Sequence, residues 1–300
     1  MTVDKNKVGL VGIGDMGSGL AKNLLKAGFD VCGFDLDPDR MNAFTAMGGI
    51  AAPDLGEVAA SARAVFVMVM TGHQAKQVIF SKNGLADHLP SGSVIILTAT
   101  IKPAEAAEIY DSLSERGLSL IDSPVSGGFP GAQSGSLTMM AAGSDMDMKN
   151  CSDIMQAVSK TIHHVGEAAP KGQIVKACLQ SLIGSVFSAT FEASVLAAKA
   201  GISGQTLFDV FSTSGAGCGV ANTALENIID RQFEGTGSHI ATMHKDLTIS
   251  LGFAEELGVP MHTAATAMQL FHAGKTKYPN GDNWVVTRVL ENIVGAELHR

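Results

Sequence analysis

The hydrophobic pattern of the chain changes near its middle. In the first half, short runs that are apolar at nearly every position alternate with segments in which apolar residues recur every three or four positions. Strands covered by helices on both faces have the first pattern, and amphipathic helices have the second. The predicted strands are 7–14, 30–35, 64–70, 93–100, 118–125, 136–143 and 162–166, and the predicted helices between them are 17–27, 54–61, 73–80, 103–115 and 147–159. This alternation predicts an α/β domain with a mostly parallel sheet.

After about residue 170 the strand pattern stops, and long Ala-rich amphipathic segments follow. The predicted helices of this part are 172–200, 203–212, 220–231, 241–257, 260–273 and 283–293. We therefore predict two domains, an α/β domain over 1–168 and an all-α domain over 169–300. Since ligand sites are common at domain boundaries, a cleft is expected where the two halves meet.

A glycine motif follows the first predicted strand and opens the first predicted helix. Gly12, Gly14 and Gly17 form the pattern G-x-G-x-x-G. The first glycine permits a tight turn, the second lets a pyrophosphate approach the backbone, and the third lets the helix pack closely on the strand. This context predicts a Rossmann domain whose dinucleotide-binding loop consists of Gly12, Ile13, Gly14, Asp15, Met16 and Gly17. The alternative is a glycine turn without a ligand.

An acidic residue ends the second predicted strand. Asp35 lies eighteen residues past Gly17, where a carboxylate can bond the hydroxyls of an adenine ribose. A carboxylate at this place would repel a 2'-phosphate, so NAD is favoured over NADP as the cofactor. Arg40 lies close enough in sequence to leave some use of NADP open.

A second glycine-rich stretch, "DSPVSGGFPGAQSGS", follows the strand predicted at 118–125. Ser126, Gly127 and Gly128 would present a hydroxyl and two open backbone N–H groups at the carboxyl end of a strand, where open α/β sheets bind ligands. They are predicted to bind a substrate carboxylate. The alternative is a turn that only reverses the chain.

A lysine interrupts the apolar helix predicted at 172–200. Spacing by four places Gly172, Lys176, Gln180 and Gly184 on one stripe of this helix. The glycines are interpreted as leaving room for a ligand, and a lysine amine partly removed from water loses its proton more readily, which suits general acid/base catalysis. The alternative is a lysine that extends from a buried face to solvent.

Composition excludes some partners. The formal net charge is -8 over 300 residues, and Lys and Arg are scattered, so neither a nucleic acid nor an anionic membrane is expected as a partner. Runs such as "AVFVMVM" are too short to cross a bilayer, and no signal peptide is evident, which predicts a cytoplasmic protein. The four separated cysteines are expected to be buried free thiols, and no residue spacing indicates a metal site.

Four stretches together resemble the β-hydroxyacid dehydrogenase family, which includes 3-hydroxyisobutyrate dehydrogenases and tartronate semialdehyde reductases. They are "GIGDMGSGLAKNLLKAG" at 12–28, "DSPVSGG" at 122–128, "GQIVK" at 172–176 and "KDL" at 245–247. The resemblance implies a homodimer or homotetramer that oxidises a small hydroxy acid with NAD. It also implies these roles: Lys176 as the acid/base, Ser126, Gly127 and Gly128 as carboxylate ligands, Gln180 as a substrate-orienting residue, and Thr100 and Lys245 as contacts near the nicotinamide.

Two departures from the family pattern bear on the substrate. The family commonly has asparagine where Gln180 stands, and serine where Ala99 stands. With the stretches 75–89 and 192–202, the glutamine makes the chain most similar to the L-threonate dehydrogenase branch, so an L-threonate-like sugar acid is the expected substrate. A 3-hydroxyisobutyrate dehydrogenase or a tartronate semialdehyde reductase is the alternative among enzymes. A non-catalytic NAD-binding sensor is the alternative of a different class.

Overall fold

A computed structural model describes residues 6–60 and 62–300 of the chain. The chain divides into two compact units, Met1–Lys176 (unit 1) and Ala177–Arg300 (unit 2). A continuous helix, Lys171–Lys199, begins in unit 1 and ends in unit 2. The boundary predicted after residue 168 stays a prediction.

Unit 1 is built on one sheet, which has nine strands within the described residues. They are β1 (Lys7–Val11), β2 (Asp30–Phe34), β3 (Ile50–Ala51), β4 (Ala64–Val67), β5 (Val94–Leu97), β6 (Ser119–Asp122), β7 (Val125–Ser126), β8 (Leu137–Ala142) and β9 (Ser159–Gly166). Their order is β3-β2-β1-β4-β5-β6-β8-β7, and β9 pairs with β8. The pairs from β3 to β6 are parallel, while β8 runs antiparallel to β6 and β7. The prediction of a mostly parallel sheet is confirmed.

Helices cover both faces of this sheet. They are α1 (Asp15–Lys26), α2 (Pro38–Ala46), α3 (Leu55–Ala60), α4 (Gly72–Phe80), α5 (Leu85–His88), α6 (Pro103–Ser114), α7 (Gly128–Ser134), α8 (Asp145–Asn150), α9 (Ser152–Val158) and the start of α10 (Lys171–Lys199). Local sequence explains several helix starts. Asp37 caps α2, which begins with Pro38, and Thr71 forms a capping box with Gln74 at α4.

Two expectations for unit 1 were wrong. The helix predicted over 147–159 is two short helices, α8 and α9, and strand β9 already begins at Ser159. The stretch after Gly127, which the alternative reading treats as a turn, contains helix α7. Its Pro130 lies in the first turn, where the missing N–H has no helical partner to lose.

The core of unit 1 has two layers, one on each face of the sheet. Alternate residues of the central strands point into different layers: Leu10 and Phe66 belong to one, and Val65 and Leu97 to the other. All four of these residues are fully buried. Burial on both faces explains why these strands are continuous apolar runs in the sequence.

Unit 2 contains only helices among its described residues, as predicted. After α10 come α11 (Gly204–Thr213), α12 (Gly219–Ile229), α13 (Ile240–Glu256), α14 (His262–Lys277), a short 3-10 helix (Asn283–Val285) and α15 (Val286–Val294). Four aromatic rings form the centre of its core, with centroids 5.9 to 6.5 Å apart: Phe187, Phe191, Phe271 and Trp284. The Trp284 indole donates to the carbonyl of Gln232, so this ring fills the core and its polar atom is satisfied.

Two further features of the helical part concern exposure. Cys32 and Cys151 are buried, but Cys178 and Cys218 are exposed, so the expectation of four buried thiols was wrong for the second pair. Within the described residues, α10 has the length and composition of a membrane-crossing helix, with half of its most apolar 18-residue window buried. This is weak evidence, because the central helix of a water-soluble protein has the same properties.

Candidate active site

The dinucleotide-binding loop predicted at 12–17 connects β1 to α1. Gly12 has φ +88°, and a Cβ there would lie 2.2 Å from the Met68 carbonyl oxygen, so only glycine fits. A Cβ at Gly17 would lie 1.9 Å from the Gly12 carbonyl oxygen. These contacts close the loop tightly around the N-terminus of α1, whose unpaired N–H groups favour an anion. The loop therefore has the geometry that a pyrophosphate requires.

Asp35 lies directly after β2, beside this loop. Its Oδ2 accepts a hydrogen bond of 2.6 Å from the Ile13 amide, and its Oδ1 accepts one of 2.9 Å from the Asp37 amide. The Arg40 guanidinium is 3.7 Å from Oδ2 and half exposed. The acid is thus fixed at the edge of the loop, where the ribose contact was predicted. A basic side chain, which the sequence analysis left open, lies next to it.

The remaining predicted groups of unit 1 lie at the same edge of the sheet. Thr100 follows β5 and Ser126 ends β7, just beyond β6. Because β1, β5 and β6 are parallel members of one sheet, their carboxyl ends share an edge with the dinucleotide loop. Gly127 and Gly128 have φ +126° and +57°, a conformation that favours glycine and leaves both N–H groups clear of a Cβ.

Lys176 lies in the second turn of α10, and only 6% of it is exposed. Its Nζ donates a hydrogen bond of 2.7 Å to the carbonyl oxygen of Val125. This carbonyl immediately precedes Ser126, the predicted carboxylate ligand. The amine therefore lies next to the predicted substrate loop, and the alternative that Lys176 extends into solvent is wrong.

The two glycines of the Lys176 stripe have a different role from the one expected. A Cβ on Gly172 would lie 2.5 Å from the Asp122 carbonyl oxygen and 2.6 Å from that of Met140. A Cβ on Gly184 would lie 2.7 Å from a methyl group of Leu247. The interpretation that they leave room for a ligand was wrong: Gly172 lets α10 approach the sheet, and Gly184 lets it approach α13.

Two buried polar residues at this edge were not predicted. Asp122 ends β6 and is fully buried, and Gln173 lies in the first turn of α10 with 1% of its surface exposed. The Gln173 amide donates to Asp122 Oδ1 at 2.8 Å, and the Gln173 backbone N–H donates to Oδ2 at 3.1 Å. Burial raises the pKa of Asp122 to about 6, although hydrogen bonds from Gln173 and Gly172 partly oppose this rise.

In unit 2, the predicted residues Gln180 and Lys245 meet at a third residue. The Gln180 amide donates a hydrogen bond of 2.5 Å to Asp246 Oδ2, and Lys245 Nζ lies 2.9 Å from Asp246 Oδ1. Asp246 is 3% exposed, so both contacts are largely shielded from water. The sequence signal for Asp246 was an acid beside a lysine on an apolar helix, which by itself does not distinguish a site residue from a surface pair.

Comparison with known proteins agrees with this geometry. Residues 7–166 match the family model described as the NAD binding domain of 6-phosphogluconate dehydrogenase. Residues 170–290 match the model described as NAD-binding of NADP-dependent 3-hydroxyisobutyrate dehydrogenase. Together the fold, the glycine loop and these matches define a dinucleotide-dependent oxidoreductase.

Individual relatives narrow the class. The chain is 31% identical to L-threonate dehydrogenase of Escherichia coli K12 over 95% of both chains. It is 29% identical to 2-(hydroxymethyl)glutarate dehydrogenase of Eubacterium barkeri over 97% of both. A crystal structure of 3-hydroxyisobutyrate dehydrogenase from Salmonella typhimurium has a TM-score of 0.86, is 30% identical, and covers 94% of this chain and 99% of its own.

The chain belongs to the 3-hydroxyisobutyrate dehydrogenase-like family of β-hydroxyacid dehydrogenases. It is an NAD-dependent hydroxy acid dehydrogenase that acts on CH–OH groups, as the sequence analysis predicted. The roles of individual site residues stay predictions.

Proposed function

We propose that this enzyme oxidises a hydroxyl group of an L-threonate-like sugar acid, with Lys176 as the general acid/base. The observation that carries the proposal is the Lys176 amine, buried and bonded to the carbonyl that precedes Ser126. The similarity to L-threonate dehydrogenases over 95% of the chain supports the choice of acid. Gln180, which replaces the asparagine common in the family, supports a substrate with more hydroxyl groups.

The residues of unit 1 can perform the proton transfer. The substrate carboxylate would bind the Ser126 hydroxyl and the N–H groups of Gly127 and Gly128, which fixes the neighbouring carbons beside Lys176. The neutral Lys176 amine would then accept the hydroxyl proton while the C–H bond breaks and its hydride leaves. The ammonium afterwards releases this proton to water. In the reverse direction the ammonium gives it to the forming alcohol oxygen.

NAD, when bound, supplies the acceptor for the hydride. The loop 12–17 would hold its pyrophosphate at the N-terminus of α1, and Asp35 would hold the adenine ribose. We propose that Thr100 and Lys245 contact the nicotinamide end. The Asp35 carboxylate supports a preference for NAD over NADP, because it would repel a 2'-phosphate. A dimer or tetramer is part of the proposal, supported by the exposed Leu182 and Leu196 side chains on α10.

A substrate screen tests the choice of acid. NADH formation is measured with threonate, erythronate, glycerate and 3-hydroxyisobutyrate, and NADH consumption with tartronate semialdehyde. L-Threonate is expected to have the highest kcat/KM by at least about tenfold, a ratio typical of one well-placed polar contact. A higher value for 3-hydroxyisobutyrate or tartronate semialdehyde would favour those alternatives. No turnover with any hydroxy acid would favour the non-catalytic sensor.

Lys176→Ala tests the catalytic role. Turnover is expected to fall by about 10²- to 10⁴-fold, while NAD affinity, measured by calorimetry, stays within about twofold of wild type. Lys199→Ala is the matched control, because Lys199 is on the same helix and its Nζ donates to the Val294 carbonyl at 2.8 Å. Wild-type turnover in Lys176→Ala would overturn the assignment.

A further inference from the structure

The Asp122–Gln173 pair connects three segments of unit 1. The Gln173 amide group donates to the carbonyl of Ala99 at 3.0 Å as well as to Asp122, and its Oε1 accepts from the amide of Ile101 at 3.0 Å. Both amide hydrogens and the oxygen are thus used. The three segments are the strand end at Asp122, the loop on either side of Thr100, and the first turn of α10.

Each of these segments also carries one of the proposed site residues. Thr100 lies between the two residues whose backbone Gln173 holds. Val125, whose carbonyl accepts the hydrogen bond from Lys176, is three residues after Asp122. Lys176 is three residues after Gln173, hence on nearly the same face of the helix. Both the backbone of Lys176 and the acceptor of its amine are therefore anchored within one turn or three residues of this pair.

We infer that Asp122 and Gln173 are positioning residues, which hold Lys176 at the reacting carbon and the Thr100 loop against the nicotinamide end of the cofactor. This inference rests on the proposed role of Lys176. Burial makes the arrangement specific, because a buried polar pair tolerates little change of geometry. The contacts have no need to touch substrate to matter, since a displacement of about 1 Å at a reacting group can lower a rate about 10²-fold.

The consequence for substitution is asymmetric. In Gln173→Glu, a carboxylate oxygen replaces the amide nitrogen and faces the Ala99 carbonyl and the Asp122 carboxylate, so two hydrogen bonds become repulsive. In the double variant Asp122→Asn/Gln173→Glu, the new asparagine can donate to the new glutamate. The exchange restores the bond between the two residues with its direction reversed, while the contact to Ala99 stays unfavourable.

The test measures kcat, KM and amide hydrogen exchange in four variants. Gln173→Glu is expected to lower kcat about 100-fold, with KM for the hydroxy acid and the Kd for NADH within about threefold of wild type. The double variant is expected to recover at least about tenfold in kcat. Leu113→Ala is the matched control: it removes a fully buried side chain from α6, so it lowers the melting temperature without touching the pair and leaves kcat unchanged. Lys176→Ala is run in parallel.

Hydrogen exchange gives a result that needs no turnover. Amides of residues 99–101 and 171–177 are expected to exchange faster in Gln173→Glu than in wild type, and at the wild-type rate in Leu113→Ala. If Gln173→Glu does not fold, Gln173→Asn takes its place, because it keeps the amide and is shorter by one methylene, with an expected loss of about tenfold in kcat.

The outcomes separate the inference from the proposed function. Wild-type kcat in Gln173→Glu, or no recovery in the double variant, would overturn the positioning role while a Lys176→Ala loss still upholds the acid/base. Wild-type kcat in Lys176→Ala would instead overturn the proposed function, and with it the reason for positioning that lysine. Unchanged exchange of residues 99–101 and 171–177 in Gln173→Glu would also overturn the positioning role.

Discussion

The two units fix their polar groups by different means. In unit 1, backbone atoms hold most of them: the Ile13 amide binds Asp35, and the Val125 carbonyl accepts from Lys176. In unit 2, side chains hold one another, as Gln180 and Lys245 do through Asp246. Backbone positions follow from strand order and loop conformation, whereas a side-chain pair depends on both partners. The comparison teaches that unit 1 is most sensitive to changes of backbone space and unit 2 to changes of side-chain chemistry.

The largest expected effect comes from removing backbone space in the dinucleotide loop. Gly17→Ala places a methyl group where 1.9 Å separates it from the Gly12 carbonyl, so we expect a loss of about 4 kcal/mol in the free energy of unfolding and at least about 100-fold in NAD affinity. Urea denaturation and calorimetry measure the two. Gly28→Ala is the control, because its Cβ would meet nothing within 4 Å and only its φ of +90° is unfavourable. Equal effects of the two variants would contradict the steric argument.

The pH dependence of stability examines the side-chain pair within unit 1. The pKa of Asp122 is about 6 in the folded protein against 3.8 as the model value, so the folded state binds this proton more tightly. The stabilisation is complete below about pH 4 and is lost as the pH rises through 6. Relative to Asp122→Asn, wild type should therefore lose up to about 3 kcal/mol between pH 4 and 7. A difference in unfolding free energy that does not vary with pH would exclude this.

Two glycines on one helix compare backbone and side-chain neighbours directly. Gly172→Ala meets carbonyl oxygens that cannot move without shifting the sheet, whereas Gly184→Ala meets the end of the Leu247 side chain, which can rotate. We expect Gly172→Ala to cost about 2 kcal/mol more than Gly184→Ala in unfolding free energy. A larger cost for Gly184→Ala would show that α13 is less adaptable than the sheet.

The smallest expected effect lies in unit 2. Asp246→Asn keeps an oxygen that can accept from Gln180 but removes the charge that Lys245 faces, so a loss of about 1 kcal/mol is expected. Thermal unfolding with Asp87→Asn as a control for an exposed ion pair measures it. A loss equal to that of the exposed pair would mean that burial adds nothing to this contact.

Sequence reasoning found the parts that follow from local pattern. The order of strands and helices, the loop at 12–17 and the position of Lys176 depend on periodicity, glycine spacing and composition, all of which are visible in one chain. Helix α7 was missed because its glycines and proline are also typical of turns. The glycines 172 and 184 were misjudged because close packing and ligand access require the same residue at the same spacing.

The missed polar pairs have a different cause. Asp122 and Gln173 are 51 residues apart, and Gln180 and Asp246 are 66 apart. Nothing in either neighbourhood specifies its partner, because the pairing arises only when the sheet end and two helices have packed. Their contacts are therefore a result of tertiary structure, and a single sequence contains no local signal for them.

The arrangement beside Asp35 has a consequence for how cofactor use can change during evolution. One codon change converts this aspartate to asparagine, which keeps an oxygen for the Ile13 amide and removes the negative charge. Arg40, already half exposed and within 3.7 Å, would then be available to a 2'-phosphate without any rearrangement of α2. A lineage that carries this sequence is thus a single mutational step from a different reducing-equivalent pool, and the step leaves the hydroxy acid chemistry untouched.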